Sequence, residues 1–151
     1  MKSSLWQGKG MSADSHRCVT ITRTSAGRYS VANGRGGTLE FGTGKVTDFT
    51  PVDLLLAAIG GCTAVDVDAL TTRRAEPASF VVQVDGEKVR DEDGNRIQDL
   101  SVTFRLTFPA GEGGDDARAL LPGAIKKSHD RLCSVSRTVE LGTPIATIVE
   151  S

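Results

Sequence analysis

Thr50-Pro51-Val52-Asp53-Leu54-Leu55-Leu56-Ala57-Ala58-Ile59-Gly60-Gly61-Cys62 reads as the opening of a long apolar helix with a thiol set inside it. Thr50 is a good N-cap, and Pro51 suits the first helical position because its missing N–H would be unpaired there anyway. Asp53 places a negative charge at the positive end of the helix dipole. The run continues to Leu70 with apolar residues on more than one face, which predicts a helix buried all round by sheet or by a partner chain. Gly60-Gly61 weakens it by about 1 kcal/mol per glycine relative to alanine. Close approach of another helix is the expected compensation. Thr71-Thr72-Arg73-Arg74 ends the helix, and Pro77 confirms the break.

Cys133 is the second marked position. It closes another helical stretch and opens Cys133-Ser134-Val135-Ser136-Arg137-Thr138. Two cysteines far apart in sequence, each at a distinct helical site, point to a thiol pair assembled by the fold for redox chemistry or metal binding. The competing reading is that both are packing residues, since free cysteine behaves as a small hydrophobe.

The flanking segments give the rest of the architecture. Cys18 to Arg23 alternates with period two and is rich in β-branched residues, so a strand is expected there. Ala26-Gly27 turns the chain into a second strand over 28–32. Asn33-Gly34 signals a type I′-like turn before a third strand over 38–41. A linker covers 42–49. Phe80 to Val84, continuing toward Val89, and Ile97 to Phe108 form a second hairpin around Asp91 to Asn95. Leu100, Val102, Phe104, Leu106 and Phe108 should face the central helix. A helix is expected over 115–132, kinked or split at Pro122-Gly123. A short helix or turn follows over 133–139, then a last strand over 144–149. The order βββ-α-ββ-α-β is an α+β pattern with one predominantly antiparallel sheet.

Composition narrows the function. At 151 residues the chain is one domain of ordinary size. A net charge of −1 argues against nucleic acid, which needs a basic stripe or excess. The longest apolar stretch, Leu54 to Val65, is too short to cross a membrane and runs into Asp66 and Asp68. The N-terminus lacks the apolar core of a signal peptide, so a cytoplasmic protein is expected. There, three cysteines read as free or transiently oxidised thiols and not as a structural framework. Met11 offers an alternative start, so a flexible arm is expected over 1–15, with a single domain over 16–151.

Pro-x-Asp/Glu-Leu, an alanine-rich run, Gly-Gly-Cys and the distant Cys-Ser-Val-Ser-Arg together resemble the OsmC/Ohr family, over roughly residues 16 to 150. The resemblance implies an OsmC-like fold: an N-terminal β-meander plus a predominantly antiparallel sheet wrapped around central helices, in an intertwined homodimer. It implies thiol-dependent reduction of hydroperoxides, organic ones preferred, in oxidative-stress defence. No metal or organic cofactor is implied. The electron donor would be a small dithiol or a thiol-carrying protein.

Residue by residue, the resemblance makes Cys62 the peroxidatic thiol and Cys133 the resolving one. A buried thiol needs a cation to offset its raised pKa. Arg28 falls in the register of the family's catalytic arginine, with Arg35 and Arg137 as alternatives. The hydroperoxide resistance proteins carry a glutamate directly after the proline to hold that arginine. Here the position is Val52, and the acid comes one residue later at Asp53, about 100° around the helix. Asp53 either reaches the arginine from another angle or serves only the helix terminus. This departure leaves two other readings: a non-catalytic binding module for a small lipophilic ligand, and a slow thiol redox sensor. His129 four residues before Cys133 suggests a Cys-His nucleophile or, with both cysteines, a zinc site, but no tight ligand motif accompanies it. Cys18 reads as core packing or a spare thiol.

Overall fold

The computed structural model describes residues 15–150, so the arm expected over 1–15 and the alternative start at Met11 lie almost wholly outside the described residues. The chain divides into two compact units, one ending at Pro51 and one beginning at Val52. Together they carry an α+β pattern of antiparallel strands and helices, as expected.

The first unit is an antiparallel meander of β1 (Val19–Ser25), β2 (Arg28–Asn33) and β3 (Thr38–Gly42). Tyr29 pairs with Phe41 across β2 and β3, and the rings stack with centroids 5.4 Å apart. The β2–β3 connection is not a two-residue turn. Residues 34–37 form a longer loop, because the Asn33 side chain accepts the N–H groups of both Arg35 and Gly37 and folds the chain around itself. After β3, the N–H of Gly42 donates to the carbonyl of Phe49 at 2.8 Å, which pins the linker back against the strand. Cys18 is exposed, not packed in a core.

The second unit is built on α1 (Pro51–Thr71), which begins and ends where the capping pattern puts it. A long hairpin, β4 (Ser79–Asp91) and β5 (Gly94–Thr107), follows, closed by Glu92-Asp93 with Gly94 at φ 126°. The meander and the hairpin are separate sheets, where one sheet was expected. Phe80, Val82 and Val84 on β4 and Val102, Phe104 and Leu106 on β5 alternate as the half-buried face, and Phe108 is buried just beyond.

α1 is not buried all round within the chain. Its buried residues, Ile59, Gly60, Thr63, Val67 and Thr71, make one stripe, while Val65 is 70% exposed. One two-stranded hairpin is too narrow to cover a whole helix. Among the described residues α1 is long and apolar enough to cross a bilayer, while Val67 and Thr71 on its buried stripe are wholly enclosed by protein. Gly60 is needed for close approach to a strand, not to another helix. A Cβ there would lie 2.3 Å from Val84 Cγ2, whereas one on Gly61 would meet nothing within 4 Å.

α2 (Glu112–Lys127) runs through Pro122 unbroken. Ala117 and Ala124 are buried on either side of the proline and anchor the helix across it. The irregularity comes later, in a π-helical turn over Ser128–Leu132 that leads to Cys133 and α3 (Ser134–Leu141). No strand forms over 144–149, since a strand exists only against a pairing edge. Ile145, Ile148 and Val149 are 92%, 81% and 91% exposed.

The tight α1–β4 contact makes a prediction. Gly60→Ala forces stiff Val84 aside, an overpacking cost of about 1–3 kcal/mol set against about 1 kcal/mol of helix propensity gained. The urea midpoint should fall with the slope unchanged. A midpoint equal to or above the parent would mean that β4 does not press on α1.

Candidate functional site

Three elements of the second unit meet at the two thiols. Cys62 lies in the middle of α1 and is half-buried. Cys133 is 1% exposed and is the N-cap residue of α3, with φ −73° and ψ 101°. The N-cap conformation turns its side chain back over the first turn of the helix. The N–H of Ser136 donates to the Cys133 sulfur at 3.4 Å, as it would to a serine or aspartate cap. The Ser136 hydroxyl lies 3.3 Å from the same sulfur. Cys133 and the backbone of Val135, also in the first turn of α3, both lie close enough to act on the Cys62 thiol. The start of one short helix thus serves both sulfurs. Both cysteines are free.

The two thiols are electrostatically unequal. Burial pushes the Cys62 thiol up. The bond from the Val135 backbone opposes this, while Cys133 and the charge of Asp66, one turn along α1, add to the rise. Burial also pushes Cys133 up, but hydrogen bonds outweigh it and leave the group below the usual thiol range. They come from the Ser136 hydroxyl and N–H, from Cys62 and from Thr63. Negative charge in the pair therefore settles on Cys133, at the positive end of α3.

A cavity of about 310 Å³ opens next to Thr63 and Ser136, although neither cysteine lines it. Ile59, Leu100, Phe104 and Val139 make most of its wall apolar, and Thr63 and Ser136, both partners of Cys133, form its polar corner. His129 lines another part and faces Glu140 at 3.4 Å. Glu140, and not Cys133, is thus the side chain that it faces. Among the described residues no group of three or more His, Cys, Asp or Glu is placed to hold a metal ion.

Arg28 belongs to the first unit, at the start of β2. Its Nη2 donates to Asp48 Oδ2 at 2.7 Å. The acid that holds this arginine is thus Asp48, in the linker before α1. Asp53 is exposed in the first turn of α1. Arg35 and Arg137 are exposed, in the β2–β3 loop and on α3. Asp48 escaped the sequence reading because it lies in a glycine-rich linker without periodicity. Its position shortly before the Thr50-Pro51 cap was the available signal.

The model of the OsmC-like protein family matches residues 42–148. The chain belongs to that family. No curated protein matches the chain. Solved OsmC-like structures share its fold. An OsmC-like protein of unknown function from Vibrio cholerae superposes with a TM-score of 0.68 at 13% identity, covering 83% of this chain and 94% of its own. A hypothetical protein from Aquifex aeolicus is similar with a TM-score of 0.67 at 22% identity, over 85% and 89% of the two chains. An organic hydroperoxide resistance protein from Elizabethkingia anophelis reaches 0.54 at 15% identity, over 82% and 87%. At these identities the likeness is one of fold.

The unequal thiols can be read by titration. In a Cys18→Ser background, thiolate absorbance should rise in two steps that belong to the pair, the first below the ordinary thiol range. Ser136→Ala removes a hydroxyl donor and should move that first step to higher pH. A single step at ordinary thiol values would contradict the hydrogen-bonded pair.

Proposed function

We propose that this OsmC-like chain reduces organic hydroperoxides through Cys62 and Cys133. The observation that carries the reading is that two free thiols, on α1 and at the start of α3, lie close enough to act on one another, next to Thr63 and Ser136 in the wall of a mostly apolar cavity of about 310 Å³. An apolar wall suits an alkyl or aryl hydroperoxide better than hydrogen peroxide.

The steps balance as follows. The Cys62 sulfur attacks the terminal oxygen of ROOH and breaks the O–O bond, giving a Cys62 sulfenic acid and RO⁻. The proton of Cys62 passes to the Cys133 thiolate, which accepts its hydrogen bond, and from there to RO⁻ as the alcohol leaves. The regenerated Cys133 thiolate attacks the sulfenic sulfur and displaces hydroxide, forming the disulfide. A dithiol donates two electrons and two protons, which restores the thiols and takes the hydroxide to water. Arg28, held by Asp48, is the cation that the family resemblance proposes for peroxide binding. Asp53, in the first turn of α1, suits the helix dipole.

A second reading is favoured by the upward shift of Cys62 and by Val52 at the position of the family's glutamate. In it the cavity binds a small lipophilic ligand without turnover, or the thiols sense peroxide slowly. Turnover in the presence of a dithiol separates these readings. Cys62→Ser should abolish hydroperoxide consumption. Cys133→Ser should react once, more slowly, and stop at a trappable sulfenic acid. Arg28→Ala and Asp48→Asn should slow the first oxidation by about tenfold, roughly one pKa unit of thiolate stabilisation, while Asp53→Asn leaves it unchanged. Equal residual turnover in both cysteine variants would remove the assigned roles.

We also propose a homodimer in the cytoplasm. The exposed Leu55 and Val65 of α1 and the apolar residues of the C-terminal segment support a second copy. A chain with three unpaired cysteines suits a reducing compartment. Light scattering at micromolar concentration should report twice the chain mass. A stable monomer would overturn the dimer.

A further inference from the structure

We propose that Asp66 and Ser128 form a positioning clamp that holds the turn carrying Cys133 against the turn of α1 carrying Cys62. The proposal rests on the two thiols acting as a redox pair, and it names what sets their separation.

Ser128 opens the π-helical turn and is wholly buried. A buried hydroxyl must find a partner. This one donates to Asp66 Oδ2 at 2.8 Å, across the packing between the π-turn and α1. The acceptor is a carboxylate, so the bond is of the stronger, charge-assisted kind. Asp66 lies four residues after Cys62, on the same face of α1. The hydroxyl of Ser128 is therefore fastened one helical turn from the first thiol.

The backbone of the same serine fixes the second thiol. The N–H of Cys133 donates to the Ser128 carbonyl at 2.8 Å, five residues back, the spacing of a π-turn and not of an α-helix. The extra residue rotates Cys133 away from where a regular continuation of α2 would point it. From there it can cap α3. Ser128 thus binds α1 through its side chain and Cys133 through its backbone. Either bond alone would leave one side of the thiol pair free to drift.

Asp66 has a second effect. Its charge opposes negative charge on Cys62 and so helps leave the thiolate on Cys133. The two roles separate by substitution. Asp66→Asn removes the charge but keeps an oxygen that can accept from Ser128. Ser128→Ala keeps the charge but removes the bond. Ser128→Thr restores a hydroxyl.

The test is the equilibrium of the Cys62–Cys133 disulfide with a buffer of reduced and oxidised glutathione, in a Cys18→Ser background. It yields the effective concentration of one thiol at the other and needs no peroxidase activity. Ser128→Ala and Asp66→Ala should each lower it about tenfold, the scale of one lost bond to a charged group. Ser128→Thr should recover most of the loss. Asp66→Asn should fall less than Asp66→Ala, because a neutral acceptor for Ser128 remains, while Cys62 alkylates at lower pH, a shift that Ser128→Ala does not reproduce. Should Ser128→Ala fail to fold, Asp66→Ala carries the comparison, and a folded Asp66→Ala that matches the parent overturns the clamp. Folded Ser128→Ala and Asp66→Ala variants that match the parent overturn the clamp, whatever the peroxide result. A parent that forms the disulfide in glutathione but consumes no hydroperoxide overturns the peroxidase reading and leaves the clamp standing if the variants fall. A parent that forms no disulfide overturns both.

Discussion

The first turn of α3 sits against the middle of α1, and the site follows from that contact. A helix start offers unpaired N–H groups and a positive dipole end, and both need something to satisfy them. Here sulfur does so. Cys133 caps the helix as a serine would, taking the N–H of Ser136, and the Val135 backbone reaches Cys62. The same contact that satisfies a helix terminus brings two thiols within hydrogen-bonding reach and makes them unequal. Had α2 continued as a regular helix to Cys133, the sulfur would have turned elsewhere and α3 would have lost its cap.

That arrangement changes what an arginine has to do. From sequence, a buried thiol needs a cation. In the second unit, backbone and hydroxyl donors already stabilise one negative charge, but on Cys133 and not on Cys62. In the proposed cycle Cys133 accepts the proton of Cys62 and then attacks its sulfenic acid. In that proposed cycle an arginine then need not create the thiolate alone.

The part of this that was legible in the sequence follows the strength of local signals. Thr50-Pro51 marked the start of α1, alternation marked β1 and β5, and turn residues bounded β2 and β3, because capping, alternation and turn chemistry are local rules. Cys62 and Cys133 stood out by their motifs. Pro122 misled, since a proline breaks a helix only where its neighbours fail to hold it, and the burial of Ala117 and Ala124 is not written locally. The π-turn was missed for the same reason: one extra residue in Ser128–Leu132 has no compositional mark. Asp66 and Ser128 were out of reach because their bond joins positions far apart in the chain. The strand expected over 144–149 has the right composition but no edge to pair with. Composition sets the tendency to form a strand, and pairing decides whether one exists.

The most direct measurement is disulfide mapping by mass spectrometry after one equivalent of an organic hydroperoxide, without added reductant. The account predicts one dominant product within each chain, a Cys62–Cys133 disulfide, with Cys18 still a free thiol. Peptides in which Cys62 and Cys133 remain reduced while the hydroperoxide persists would contradict it, as would a product in which Cys18 has taken the place of either.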